Sequence, residues 1–392
     1  MLKEKRLVPQ LRFTEFKDKW NKRELSKLGE YIGGGTPDST NLRLWEGSIP
    51  WISSSDVSDE SIHKIKKTRF ISEEAVKNSA TKIIPKGSVL MVSRVGIGKF
   101  AVSDEDLCTS QDFTNLISNE NEFFIAYYFK ARSNRFVKLS QGTSIKGFTT
   151  KDIKSAKFAF PKKEEQQKIA NFLSAIDNRI QTLVKKKTLL EQYKKGVMQK
   201  LFKQELRFKD DTSTSLSTSD GKAFPEWEEK KLGEVCSKKS SNISANKIEE
   251  NFGEYIIYGA SGVLKKVDFY KEENDYVSII KDGAGVGRIV YCKGKSSVLG
   301  TMEIIKPNSK LNTYFLYCLL ENVNFKKYIT GSTIPHIYFK DYKKEKCNIP
   351  PLEEQTKIAN FLSTIDKNIE LVTKKIEHTK TYKKGLLQQM FV

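Results

Sequence analysis

The sequence predicts an α+β protein: two mixed α/β domains in a pseudo-two-fold arrangement, separated by two long helices that form an antiparallel coiled coil. Three observations lead there. The run 161–202 returns as 350–391 without a gap, and 22 of the 42 paired positions are identical. Both runs carry apolar residues at alternating steps of three and four. The segments outside the two runs share short motifs and otherwise diverge. A repeat on this scale has to be settled before any local reading.

Each run opens on a proline, at Pro161 and Pro350, followed by Glu164-Glu165-Gln166 and Glu353-Glu354-Gln355, and each reaches Tyr-Lys-Lys-Gly at 193–196 and 382–385. Ile169, Leu173, Ile176, Ile180, Leu183, Leu190, Val197 and Leu201 make the apolar stripe of the first copy. Ile358, Leu362, Ile365, Ile369, Val372, Ile376, Leu386 and Met390 make that of the second. This spacing is a coiled-coil seam, with Lys, Glu, Gln and Asn on the other faces. Proline ahead of an acidic first turn suits a helix start. At about 40 residues, each helix spans roughly 60 Å. An amphipathic helix packed on its own domain explains one such run; two near-copies point to helices packed on each other.

In chain order, 1–23 is an N-terminal segment that contains Gln10-Leu-Arg-Phe and Trp20. Residues 205–208 echo it as Glu-Leu-Arg-Phe, with Trp227 following, whereas the second helix runs to the last residue, Val392. The repeat is thus cyclically offset, and 1–23 is expected to dock near the C-terminus. Residues 24–160 read as the first domain. It contains a short strand entering a polar loop at Ile49–Asp56, a helix at Glu73–Asn78, a buried strand after Pro85-Lys-Gly, and a helix around Phe123–Leu139. The long helices occupy 161–204 and 350–392. A linker at 205–224, rich in Ser, Thr and Asp, precedes the second domain at 225–349. There Lys231-Leu-Gly-Glu restarts the programme of Lys27-Leu-Gly-Glu. Tyr258-Gly-Ala-Ser stands where Trp51-Ile-Ser-Ser stood, Gly285-Val-Gly-Arg matches Gly96-Ile-Gly-Lys, and Gly331-Ser-Thr-Ile matches Gly142-Thr-Ser-Ile.

At 392 residues, two globular units plus helices are the natural division. A formal net charge of +20 points to a polyanionic partner, nucleic acid or else an acidic membrane surface. The N-terminus carries no apolar stretch of signal-peptide length, and no run reaches membrane-spanning length. Five scattered cysteines support neither a disulfide framework nor a zinc site. A cytoplasmic protein is expected.

Gly283-Ala-Gly-Val-Gly follows a strand at Tyr276–Ile280 but lacks the glycine spacing of a dinucleotide loop, and a strand follows it. It is either a plain turn or a tight hairpin that lets a backbone and one basic side chain, Lys99 or Arg288, approach a phosphate. Gly142-Thr-Ser-Ile-Lys146 and Gly331-Ser-Thr-Ile-Pro-His336 place hydroxyls, amides and a cation or imidazole in a short loop. These groups either contact phosphate and base edges or cap the turn. Triphosphate loops, nucleophile elbows, amino-methyltransferase motifs and paired-acid clusters are missing, so a binding protein is expected rather than an enzyme.

Two variable domains, each followed by Pro-x-x-Glu-Glu-Gln-x-Lys-Ile-Ala-x-Phe-Leu-Ser-x-Ile-Asp and a helix ending in Tyr-Lys-Lys-Gly, resemble the specificity subunit of type I restriction-modification systems. The resemblance spans the whole chain. It implies that each domain is a target-recognition domain reading one half of an asymmetric bipartite DNA sequence. It implies further that the helices set the spacer and recruit two modification (methyltransferase) and two restriction (translocase/nuclease) subunits. S-adenosylmethionine, ATP and Mg would then be bound by those partners and not by this chain. On this reading the DNA-binding residues are Ser53, Ser54, Asp56, Arg94, Lys99, Thr143, Ser144 and Lys146 in the first domain. In the second they are Tyr258, Ser261, Lys281, Asp282, Arg288, Ser332, Thr333 and His336. A fused methyltransferase–specificity polypeptide or a two-headed nuclease would need catalytic motifs. A coiled-coil adaptor without DNA contact would show no salt-dependent DNA binding.

Overall fold

The structure is a computed structural model that describes residues 7–140, 147–210 and 224–392. The chain divides into two compact units, Met1–Val184 with Lys374–Val392, and Lys185–Thr373. Of the sequence-predicted segments, the loop at 141–146 and most of the linker (211–223) lie outside the described residues.

Unit 1 carries β1 (Asn21–Glu24), β2 (Gly29–Gly33), β3 (Ile49–Ile52), β4 (Arg69–Ile71), α1 (Glu73–Asn78), β5 (Ile83–Ile84), β6 (Val89–Val92), β7 (Phe100–Val102), β8 (Leu107–Thr109) and β9 (Phe113–Ser118). Then come α2 (Glu122–Ala131), α3 (Ser133–Leu139), α4 (Thr150–Ser155), β10 (Lys157–Phe160) and the long helix α5 (Lys163–Phe202), which belongs to unit 2 from Lys185 on. An antiparallel sheet runs β2-β9-β6-β7, and a second sheet runs β4-β3-β8-β5 with β3 parallel to β8. β1 pairs with β10.

The strand residues sort by the two-residue period of a pleated chain. Val89 and Met91 of β6 enter the core built by Phe124, Tyr128 and Phe129 of α2. Leu90 and Val92 point the other way, into a core with Ile52, Ile84, Leu107 and Phe113. Both faces of β6 are therefore buried, which is why its sequence is apolar throughout. The α2 core also takes in Ile169, Leu173 and Ile176 of α5 and, from the end of the chain, Leu386, Met390 and Phe391.

Unit 2 repeats the plan. Its elements are β11 (Glu228–Lys231), α6 (Leu232–Val235), β12 (Cys236–Ser240), β13 (Tyr255–Gly259), β14 (Gly262–Val267), β15 (Tyr276–Ile280), β16 (Ile289–Cys292), β17 (Ser296–Val298) and β18 (Met302–Pro307), followed by α7 (Thr313–Glu321), α8 (Phe339–Tyr342), β19 (Lys346–Ile349) and α9 (Leu352–Gln389), which belongs to unit 1 from Lys374 on. Its antiparallel sheet runs β12-β18-β15-β16, and β13 lies between β14 and a parallel β17. Val277 and Ile279 of β15 join Phe315, Leu316 and Leu319 of α7, Val197 and Leu201 of α5, and Ile358 and Leu362 of α9 in one core.

The long helices α5 and α9 pack together in antiparallel fashion. Asp177 of α5 meets Lys383 of α9 in unit 1, and further along α5 Lys194 meets Asp366 in unit 2. The repeated Glu-Glu-Gln motif has a structural task beyond favouring a helix start. Glu165 accepts from Arg12 Nε at 2.8 Å, Arg12 Nη2 at 2.7 Å and Trp20 Nε1 at 3.3 Å. Glu354 likewise accepts from Arg207 Nε and Nη2 (3.1 and 2.8 Å) and from Trp227 Nε1 at 3.0 Å. The next residue, Gln166 or Gln355, donates back to the carbonyl of Pro161 or Pro350. The N-terminal segment that supplies Arg12 also reaches the chain end, where Leu11 N–H donates to Gln389 O at 3.0 Å.

One element differs from the sequence reading. The helix expected around Phe123–Leu139 is broken at Arg132, whose backbone (φ −114°, ψ 23°) leaves the helical region. Its guanidinium turns instead to the carbonyls of Phe391 and Val392. The break closes the aromatic core around the chain end, where Phe391 stacks on Tyr128 with ring centroids 5.1 Å apart.

Candidate nucleic-acid interface

In unit 2 three loops converge at the glycine-rich hairpin of the antiparallel sheet, and among the described residues of unit 1 the hairpin, the loop after β3 and Phe148 come together in the same way. In unit 1 that hairpin joins β6 to β7, with Gly96 and Gly98 at positive φ, and closes through Val92 N–H donating to Lys99 O at 3.1 Å. In unit 2 it joins β15 to β16, with Gly283, Gly285 and Gly287 at positive φ, and Ile280 N–H donates to Arg288 O at 3.0 Å. Left-handed backbone at alternate residues is what the glycines permit.

The basic residue that ends each hairpin reaches the loop after the parallel-paired strand. Lys99 Nζ lies 3.4 Å from Ser54 O and 3.4 Å from the Asp59 carboxylate. Arg288 Nη1 donates to Ala260 O at 3.0 Å, using one of its five N–H groups. Ser54 and Ser261 thus sit beside the two hairpin cations.

The third loop docks at the hairpin's other side. Phe148 N–H donates to Ser93 O in unit 1, and Ile337 N–H donates to Lys281 O in unit 2, both at 3.0 Å. Gly283 N–H also donates to Pro335 O at 2.9 Å, and Asp282 is a bridge partner of His336. Thr330 and His336 exchange main-chain hydrogen bonds across the loop, leaving Ser332, Thr333 and Ile334 as its exposed tip. The His336 ring lies against Tyr338 and its Nδ1 sits 3.2 Å from Ile334 O. Thr143, Ser144 and Lys146 lie outside the described residues. Their neighbour Gly147 is placed against Arg94, since a Cβ there would meet Arg94 Cγ at 3.2 Å. Arg94 itself is exposed.

Two of the sequence-predicted residues face inward. Tyr258 is 6% exposed, with its hydroxyl accepting from Lys293 N–H, and it belongs to the core of its sheet. Asp56 caps its own turn, accepting from Ser53 N (2.8 Å) and Ser53 Oγ (2.9 Å) and pairing with Arg69. Burial would push the Asp56 carboxyl up, but these hydrogen bonds outweigh it and hold the group below the usual carboxylate range. Arg69 is the functional candidate that sequence reading missed. Its guanidinium stacks 4.5 Å over the Trp51 ring and donates to Ser53 Oγ at 2.7 Å, so it joins the loop cluster from β4. The only sequence signal was a lone basic residue in a short strand.

Among the described residues no helix is long and apolar enough to cross a membrane, and no group of His, Cys, Asp and Glu is arranged to hold a metal ion. The described cysteines are free and buried.

Two domains of one topology, each presenting a cationic glycine hairpin flanked by loops of differing sequence, define a two-headed recognition protein on a shared helical scaffold. The family model of the type I restriction modification DNA specificity domain matches residues 17–192 and again 225–380, and the chain belongs to that family. It is 28% identical to the Type I restriction enzyme MjaIX specificity subunit of Methanocaldococcus jannaschii, over 96% of this chain and 95% of that one. To the EcoR124I/EcoR124II specificity subunit of Escherichia coli it is 31% identical, over 43% of each chain. The fold resembles the crystal structure of the S subunit from M. genitalium, with a TM-score of 0.67, 20% identity, and coverage of 98% of this chain and 99% of that one. A second solved chain, from work on complex assembly and conformational transition of the type I R-M system, matches with a TM-score of 0.54 and 16% identity, over 95% of this chain and 96% of that one. The chain is accordingly a restriction-modification specificity subunit, a recognition component and not a catalyst.

Proposed function

We propose that each unit reads one half of an asymmetric bipartite DNA target, and that α5 and α9 act as the ruler that sets the unread spacer and as the surface that recruits modification and restriction subunits. The observation that carries this reading is that both units build a glycine hairpin, its basic last residue and the loop after the parallel-paired strand with corresponding main-chain anchors, but tip them with different side chains. Main-chain anchors are repeated almost bond for bond, whereas Arg94 is replaced by Asp282 and Gly147 by His336. A conserved frame with altered tips suits two readers of different sequence.

Lys99 and Arg288 are the phosphate contacts in this reading. Arg94 with the 143–146 loop, and Ser261, Lys281, Asp282, Ser332, Thr333 and His336, face base edges. Arg69 joins Ser53 and Ser54 at the first site; Asp56 orients Arg69, and Tyr258 supports its loop from within. S-adenosylmethionine, ATP and Mg belong to the partner subunits, and the assembly works in the cytoplasm. The test is DNA binding by the purified chain across a salt series. Log affinity should fall linearly with log salt, by about 0.9 for each phosphate neutralised. Salt-independent binding, or none, would overturn the proposal.

A further inference from the structure

The ion pair between the long helices is closed over in one unit and open in the other. In unit 1 Asp177 takes Lys383 Nζ at 2.5 Å and the Tyr127 hydroxyl at 2.6 Å, and its side chain is 5% exposed. The connection between β3 and β4 covers it. His63 Nε2 lies 2.9 Å from Tyr127 Oη and 3.7 Å from Asp177 Oδ2, with its ring 5.2 Å from that of Phe123. Next to it Ile62 is fully buried and its carbonyl accepts from Val102 N–H at 2.9 Å.

Unit 2 repeats the pair with the helices' roles exchanged. Asp366 takes Lys194 at 2.6 Å and the Tyr314 hydroxyl, yet its side chain is 35% exposed. Among the described residues no counterpart of His63 lies here. Residues 53–88 link β3 to β6, but the shorter stretch 260–275 links β13 to β15, and it holds the strand β14. In place of the covering segment lies a cavity of about 660 Å³, whose lining includes Tyr291, Tyr314, Tyr317, Asn360, Ser363 and Asp366. The three tyrosine rings pack with centroids 5.1 to 5.7 Å apart.

We propose that this cavity is the seat of an extended loop of the modification subunit, which inserts an imidazole or similar hydrogen-bonding ring beside Asp366 and Tyr314 as His63 is inserted beside Asp177 and Tyr127. The proposal rests on the reading that α5 and α9 recruit that subunit. The protein's own first unit supplies the template for shape and chemistry. The wall of tyrosines offers ring packing of the kind that Phe123 and Tyr127 give His63, and the half-open Asp366 carboxylate offers a hydrogen-bond acceptor. Closing the cavity removes water from the Lys194–Asp366 pair and strengthens it. Unit 1 has filled the equivalent place itself, so the two helix surfaces are not equivalent partners, and this contact distinguishes one from the other.

The test uses the full chain and its cognate modification subunit. Hydroxyl-radical footprinting should label Tyr314 and Tyr291 in the free chain and leave Tyr127 protected; on assembly, labelling of Tyr314 and Tyr291 should fall several-fold. Ser363→Trp, which fills the cavity, should weaken association by about tenfold with an unchanged melting temperature. If that variant does not fold, the footprint on the unaltered chain decides. A complex that forms with Tyr314 and Tyr291 still labelled, or that forms equally well with Ser363→Trp, overturns the seat alone. Failure of the subunits to associate at all overturns the recruitment reading, and the seat with it.

Discussion

Arg12→Ala tests how the chain ends are held. Glu165 is the carboxylate most enclosed at the start of α5, with 3% of its side chain exposed, and Arg12 supplies two hydrogen bonds to it at 2.8 and 2.7 Å. Removing the guanidinium leaves a buried charge facing the Trp20 indole at 3.3 Å. Breaking one side of such a pair costs about 3–5 kcal/mol, whereas replacing both partners by apolar groups of similar volume is often close to neutral. Urea unfolding followed by tryptophan fluorescence should therefore show a large loss for Arg12→Ala and a much smaller one for Arg12→Met combined with Glu165→Met. Since the neighbouring Leu11 N–H bonds Gln389 O, hydrogen exchange at the end of α9 should accelerate with the single change. A loss below about 1 kcal/mol, the size of an exposed ion pair, would refute the reasoning.

Other outcomes follow from the same geometry. Lys383→Met should destabilise the protein more than Lys194→Met, because Asp177 is 5% exposed and Asp366 35%; equal melting shifts would contradict this. Burial depresses the His63 imidazole, with Asp177 opposing and Lys383 assisting. A group depressed on folding binds its proton more readily when unfolded, so its stabilisation is complete above about pH 6.5 and is lost as pH falls through the lower folded value. Melting temperatures of the unaltered chain should drop faster with acidification through that window than those of His63→Gln, and parallel curves would exclude the linkage. Arg288→Ala should weaken binding to all DNA sequences alike and reduce the salt slope by about 1; a change confined to one base position would reassign Arg288 as a base reader.

Much of the fold was legible because it is written twice. The duplicated helix exposed the antiparallel scaffold. The offset Leu-Arg-Phe echo led to the expectation that 1–23 docks near the C-terminus, but gave no sign that Arg12 and Arg207 each bind the second glutamate of the repeated motif at a helix start. Contacts that depend on which way a polar side chain turns were not legible. Asp177 and Lys383 look like solvated helix-face residues, yet they are 4% and 5% exposed, because α2 and the His63 segment pack over them. Arg69 gave no signal because its partners, Trp51 and Asp56, reach it across a strand register that sequence does not display. Tyr258 aligned with Trp51 in sequence, and both proved to be core residues: each lies in a strand whose neighbouring residues are buried as well, and the loop motif after them hid it. The hairpins were readable because spaced glycines have few other uses.

A domain exchange tests the two-headed reading most directly. Residues 24–160 would be replaced by the corresponding domain of a relative with a different target, the hybrid expressed with its modification subunits, and methylated adenines mapped across the host genome. The expected result is a new first half-site, an unchanged second half-site and the same spacer. Both half-sites changing together, or the spacer changing while α5 and α9 are untouched, would contradict it.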